Sequence, residues 1–357
     1  MIEKNALAKI IDAGIQAPSG DNCQPWQVYL DSEWLRIRNL DYKDTSLYNV
    51  KNSASYVAIG AMIENMAITA KSLGHDTSVK LFPEGENSST VADVRFIKGE
   101  TVLNPLLPCI KKRCVNRKKF KVKQLEPHAR EALLKVPSEF RGAELCIIED
   151  KEKKKHLAKI FSLNDRILFE NRNLHDFLFK HLRWSREDAE TSRDGMSIES
   201  LELGFLQSRI FKFLSSWDLV RFLNLLGFSR LAPVQSYKLC TSSSALCVLL
   251  MQGLNSDSFV EGGRVLQRIW LTATSLGLAL HPMTGITFLI QRLQMGEDKE
   301  LSNSHRKYLI SSYQRLKEIL PVEHKSIIMS FRLGYADAPS DKSLRLPLTS
   351  VLIEEHT

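Results

Sequence analysis

The sequence predicts an α+β chain built from two related halves, each a sheet flanked by helices, joined as a pseudo-dimer within one polypeptide. Three observations lead there. Residues 60–74, GAMIENMAITAKSLG, align without a gap on residues 263–277, GRVLQRIWLTATSLG, with six of fifteen positions identical. Strand-like runs bounded by turn residues surround both copies, at 27–30, 34–37 and 91–97 in the first half and 144–148, 246–251 and 326–333 in the second. The 357 residues are 43% hydrophobic and 25% charged, the balance of a chain with a core large enough for two domains.

The N-terminal segment places Leu7, Ile10, Ile11, Gly14 and Ile15 at helical spacing. Glu3, Lys4, Lys9 and Asp12 interrupt any secretory apolar region, so a cytoplasmic location is expected. In the repeat, Met62, Ile63, Met66, Ala70 and Leu73 recur as Val265, Leu266, Ile269, Ala273 and Leu276, predicting two long buried helices that each end at Gly. Residues 104–108 read as the junction, giving a first half over 1–108 and a second over 109–357. A helix over 127–136 opens with Pro at its first turn. Residues 165–235 have no counterpart in the first half. They predict a polar, charge-rich helix over 175–190 and a bulky apolar helix over 204–228. The apolar helix reads as a lid or core helix rather than a membrane anchor, because Arg209, Lys212 and Arg221 are sparse. No apolar stretch approaches the roughly 20 residues that span a bilayer, and no membrane partner is expected. Six cysteines without CxxC spacing read as reduced thiols.

The net charge is +8, yet residues 111–123, KKRCVNRKKFKVK, hold eight Lys or Arg and no acid. Without that window the chain has 41 basic against 41 acidic residues. A local block of this kind suits a compact anion such as a phosphate, and nucleic acid is not expected as a partner. Phosphate-loop, dinucleotide-fingerprint, nucleophile-elbow and zinc motifs are absent from the sequence. The nine histidines lack ligand spacing, so no metal is expected.

Four loops remain. Residues 17–26, APSGDNCQPW, combine turn formers with the donors and acceptors of Ser19, Asn22 and Gln24, which could read a heterocycle's edge; a plain turn with a packed Trp26 is the alternative. Arg113 and Arg117, four apart, can converge on one phosphate through bidentate bonds, or form a solvated basic face. Residues 276–285, LGLALHPMTG, follow the second repeated helix. Residues 342–347, KSLRLP, offer a second phosphate clamp.

Taken in this order, the four loops resemble the FMN-dependent nitroreductase family, and the resemblance spans most of the chain except 165–235. In that family two subunits build each flavin site, one giving the QPW loop and the other the basic motif, the Pro-x-x-Gly loop and the C-terminal clamp. Here the first half carries the QPW loop and the second half the other three. The resemblance therefore implies a nitroreductase-like single-chain pseudo-dimer that keeps one flavin site under a lid, as in the family's tandem branch, with further oligomerisation left open. It implies FMN contacts from Ser19, Gly20, Asn22 and Gln24 at the ribityl chain or pyrimidine edge. Arg113 is placed at the phosphate, with Asn116 in the same motif, and Arg117 nearer N1/O2. Pro282, Met283, Thr284 and Gly285 line the ring near N5, and Lys342 and Arg345 close on the phosphate. Two positions depart from the family pattern: Val115 replaces a frequent Ser or Thr, and Thr284 a frequent Glu.

The implied activity is an oxidoreductase in which NAD(P)H reduces FMN at N5 and a nitroaromatic or quinone-like small-molecule acceptor reoxidises it. No catalytic side chain is required, because the flavin carries the chemistry. The alternative is a lidded FMN-binding protein that stores or sequesters flavin with little turnover.

Overall fold

A computed structural model describes residues 2–31 and 34–354. The first half contains α1 (Lys4–Ile15), β1 (Trp26–Leu30), β2 (Leu35–Asn39), α2 (Ser53–Ser72), β3 (His75–Leu81) and β4 (Thr90–Lys98). After α3 (Leu107–Lys112) and α4 (Pro127–Lys135) comes β5 (Ala143–Ile148). A helical insertion follows: α5 (Lys151–Glu170), α6 (Arg172–Lys180), β6 (Leu182–Arg183), α7 (Arg186–Ser192), β7 (Met196–Ser197), α8 (Phe205–Phe213), α9 (Trp217–Leu225), α10 (Phe228–Leu231) and α11 (Pro233–Thr241). The second half resumes with β8 (Ala245–Gln252), α12 (Ser256–Ser275), β9 (Ala279–Pro282), α13 (Gly285–Gln294), α14 (Asn303–Ile319) and β10 (Lys325–Gly334), then α15 (Leu348–Val351) and β11 (Leu352–Glu354).

The strand order is β11-β1-β2-β4-β3 in one sheet and β5-β8-β10-β9 in the other. Omitting β11, the two orders correspond strand for strand about α2 and α12, and every pairing among those eight strands is antiparallel. The insertion lies between β5 and β8, where the first half has only the short β1–β2 connection. All six strands predicted from sequence form. β3, β9, β11 and the two-residue β6 and β7 were not predicted. β3 is an edge strand with no buried residue, and β9 and β11 have only four and three residues.

One strand crosses between the two parts of the chain. The division near residue 108 separates the two sheets, but the C-terminal β11 returns to the first, pairing in parallel with β1 through Val28 and Leu352. It covers an edge whose backbone groups would otherwise be unpaired. Two helices differ from the sequence reading. The run 204–228 is not one helix, because Ser216 stops it: its Oγ accepts from the backbone N of Leu219 and starts α9 afresh. The run 175–190 breaks likewise before Ser185, whose Oγ accepts from the backbone N of Asp188 at 3.1 Å.

The core runs through the α2–α12 contact. Sixteen of the twenty α2 residues are buried, the pattern of a helix surrounded by protein. A Cβ on Gly60 would lie 1.9 Å from the Val260 carbonyl oxygen, and one on Gly263 would lie 2.1 Å from that of Val57. These two contacts exchange under the same 203-residue offset that aligns the repeats. The polar pairs exchange as well: Arg268 Nε donates to Glu64 Oε1 at 2.6 Å, and Gln267 Nε2 to Asn65 Oδ1 at 2.7 Å. Reciprocal contacts of this kind are the mark of a two-fold interface.

Candidate functional site

A cavity of about 380 Å³ opens between the halves, within the size range of cofactor pockets. Its walls come from the 18–22 loop, α2, residues 113–117, α12, residues 281–285, residues 341–345 and the insertion.

Backbone strain marks the first loop. Asp21, Asn22 and Gln24 all have positive φ (42°, 57° and 51°), which costs roughly 1 kcal/mol or more per residue unless neighbours enforce it. The neighbours do. The Gln24 backbone N donates to Ser19 Oγ at 2.9 Å. Asn22 Nδ2 donates to the carbonyls of Gly195 and Leu344, both at 3.0 Å, and Asn22 Oδ1 accepts from Arg345 at 2.7 Å. Gln24 Nε2 donates to the Arg193 carbonyl at 2.9 Å, while its Oε1 accepts from the backbone N of Leu346 at 2.8 Å. The loop thus ties the insertion to the C-terminal segment.

Three cations cluster in the lining. Arg113 is 2% exposed, stacks on the Trp270 ring at 4.6 Å and donates to the Gln16 carbonyl at 3.0 Å. Its Nε is buried with no partner. Burial lowers its pKa to about 10. Arg345 falls to about 9, mainly through burial and then through Arg113. Lys342 falls to about 8, again by burial first and then by Arg113 and Arg345. None of the three has a carboxylate at ion-pair distance among the described residues. Arg117 reaches the same cavity, where burial lowers its pKa and Asp21 opposes the shift. It donates to the Ser200 carbonyl at 3.2 Å and to Met196 Sδ at 3.1 Å, so it also holds the insertion in place.

Carboxyls line the same cavity. Burial raises the carboxyls of Asp44 and Asp165 to about 6 and raises that of Asp21. Asp165 accepts from Ser236 Oγ, and Tyr48 donates to Asn164 Oδ1 at 2.9 Å. The lining also includes the apolar side chains of Val57, Ala58, Leu266 and Met329, and Phe161, Leu174, Phe177 and Leu178 of the insertion. His281 is held neutral by burial and by Arg332, whose Nε donates to His281 Nδ1 at 2.9 Å and leaves Nε2–H as the ring's donor. Arg332 is fully buried over the Phe120 ring and donates to the carbonyls of Asn116 and Lys118.

The structure brings Ser19, Gly20, Asn22, Arg113, Arg117, Pro282, Met283, Thr284, Gly285, Lys342 and Arg345 to this one cavity. It does not bring Gln24 or Asn116 there. Gln24 is fully buried, with its side chain committed to Arg193 and Leu346. Asn116 donates to the Asp337 carbonyl at 2.8 Å and accepts from the backbone N of Lys118 at 3.1 Å. Both shape the loops from behind the wall. Sequence reasoning missed Trp270, Asp165, Asn164 and Tyr48, whose types carry no local motif. It also missed His281, for which the neighbouring Pro282 was the available signal.

No family model matches the chain. An uncharacterized protein of Mycobacterium tuberculosis is 27% identical over 343 residues, 94% of this chain and 46% of that protein. The chain thus spans about half the length of the curated relative it matches. Similar solved structures include nitroreductase A from Vibrio parahaemolyticus, at 15% identity and a TM-score of 0.36 over 72% of this chain and 77% of that one. The FMN-dependent nitroreductase NfnB from Mycobacterium smegmatis, solved with NADPH, is 13% identical at a TM-score of 0.41 over 69% and 96%. The NADPH:FMN oxidoreductase of Vibrio harveyi, solved with NAD+, is 14% identical at 0.36 over 71% and 78%.

Proposed function

We propose that this chain is a nitroreductase-like flavoprotein oxidoreductase, a fused pair of related halves that binds one FMN between them. The observation that carries the reading is the cluster of buried Arg113 with half-buried Lys342 and Arg345, which has no carboxylate at ion-pair distance among the described residues and lines a cavity that also has apolar walls. Three neighbouring cations, one buried and two half-buried, repel one another and lose hydration, and a bound phosphate dianion would offset both costs. The partnerless Arg113 Nε and the apolar walls fit a phosphate-bearing, flat ligand. The matched strand orders and the exchanged Gly60 and Gly263 contacts support the fused-pair reading.

When bound, FMN would supply two-electron chemistry between NAD(P)H and an electron-poor acceptor such as a nitroaromatic or quinone. The chain's own residues bind and exclude water. Arg113, Lys342 and Arg345 would hold the phosphate, and Ser19 and the backbone at Gly20 lie within the same wall. Arg117 keeps positive potential in the cavity, and His281 offers a neutral N–H donor. Residues 282–285 and the apolar faces of α2 and α12 form the slot. The insertion closes it through Phe161, Leu174, Phe177 and Leu178. That closure favours a second reading, in which flavin is held with little turnover.

Anaerobic spectrophotometry of the FMN-loaded protein separates the two. The reductase predicts that the flavin band bleaches within seconds of adding NADPH or NADH. A band that persists with both nucleotides but bleaches with dithionite would overturn the reductase in favour of the storage protein.

A further inference from the structure

The outer face of α8 and α9 is apolar and exposed. Phe205, Leu206, Phe213, Leu225 and Leu226 are each between 69% and 82% exposed, and Ile210 and Phe222 are more than half exposed. The inward residues of the same helices, including Phe211, Leu214, Trp217 and Val220, pack into a separate apolar cluster. The exposed residues are therefore left over after the helices have found their core, and seven of them within 22 residues of sequence exceed the single scattered apolar residues of an ordinary surface.

Charge singles out what covers this face. Between residues 203 and 238 the cations Arg209, Lys212, Arg221, Arg230 and Lys238 are all exposed, against one acid, Asp218. None of these cations has an ion-pair partner among the described residues. The Arg209 guanidinium instead lies over the Phe205 ring at 4.7 Å, and Lys212 Nζ is 5.7 Å from the Trp184 ring centre. The cores of protein–protein interfaces are depleted of charge. Phe and Leu edged by Arg and Lys whose stems lie along the apolar surface are the composition of helices that rest in a lipid headgroup layer. Each helix has nine residues, about 14 Å, too short to cross a bilayer.

Against the sequence expectation of no membrane partner, and because the structure adds Arg230 and Lys238 to the exposed cations and leaves the apolar side chains uncovered, we propose that the α8–α9 face docks the protein on an anionic lipid surface. The docking surface is close to the cavity. Leu168, Leu178, Met196 and Leu201 belong both to the cluster beneath α8 and α9 and to the cavity wall. A membrane on this face would lie one packed layer from the cover of the site, the side from which a lipid-dissolved small molecule would arrive. The docking itself does not depend on the flavin reading.

The test is co-sedimentation of the full chain with phosphatidylcholine vesicles, with and without added phosphatidylglycerol, over a range of salt. The expected result is partition onto the phosphatidylglycerol vesicles that weakens as salt rises. Phe213→Ser should lower it about tenfold, and Arg209→Ala with Lys212→Ala about ten- to thirtyfold at low salt. These side chains are exposed, so the melting temperature of the variants should match that of the parent. No partition onto either vesicle overturns the proposal. So does concentration-dependent self-association without lipid that Phe213→Ser abolishes, which would assign the face to a second copy of the chain.

Discussion

Replacing Arg113 with Met should move two properties in opposite directions. In the ligand-free protein Arg113 is a buried, incompletely bonded cation whose pKa has fallen to about 10. That depression from its ordinary value corresponds to ~3 kcal/mol of unfavourable burial. Met fills a similar volume without charge. It forfeits the bond to the Gln16 carbonyl and the stacking on Trp270, together worth about 1–2 kcal/mol. The ligand-free variant should therefore be about 1–2 kcal/mol more stable than the parent, measured by urea denaturation with an unchanged slope. FMN affinity should fall about ten- to a hundredfold, because a charge-assisted bond to phosphate is worth roughly 1.5–3 kcal/mol. Titration followed by quenching of flavin fluorescence reads the second quantity. A variant that is less stable without ligand yet binds FMN unchanged would refute the reasoning, since Arg113 would then be a structural cation and not half of a ligand site.

Other outcomes follow from the same geometry. Lys342, at about 8, must be protonated to meet a phosphate, so FMN affinity should fall about tenfold between pH 7 and pH 9, and calorimetry at pH 8.5 should register proton uptake on binding; Lys342→Met should flatten that dependence. Asp165 has its carboxyl raised to about 6, so the neutral form is the one the fold prefers, and stability is lost as pH rises through that value. Asp165→Asn should therefore raise the melting point of the ligand-free protein at pH 8, by ~2–3 kcal/mol equivalent, with the gain vanishing near pH 4; a constant gain at both pH values would contradict the assignment. Gly60→Ala should cost about 3 kcal/mol or more in denaturation experiments, since its Cβ would meet the Val260 carbonyl oxygen, and Gly263→Ala should cost a similar amount if the two contacts are images of one another.

Much of the fold was legible because its signals are periodic or repeated. The six core strands announced themselves as short β-branched and aliphatic runs, and the 60–74 and 263–277 match identified the helices that meet at the centre. What escaped the sequence depends on distant partners. The C-terminal strand β11 is only three residues long, and its place beside β1 is set by the vacant sheet edge. The break at Ser216 was hidden because leucines and phenylalanines on either side continue the apolar pattern while one hydroxyl restarts the helix. At the site, charge and turn residues were readable: the Arg113–Arg117 spacing and the Lys342–Arg345 pair do share one cavity. Gln24 and Asn116 showed the limit of that method. Their amides suit a ligand and a backbone equally well, and only the fold shows that Gln24 is taken by Arg193 and Leu346. Asp165 reaches the cavity from α5 and Tyr48 from the segment before α2, 117 residues apart, and no local spacing could have joined them.

The account rests on a phosphate-bearing flavin held by the Arg113, Lys342 and Arg345 cations, and a paired titration of the ligand-free protein with FMN and with riboflavin tests it most directly. Two or more charge-assisted bonds to the phosphate predict that FMN binds at least about a hundredfold more tightly than riboflavin, with the difference shrinking in Lys342→Met. Equal affinity for the two flavins, or no binding of either, would contradict it.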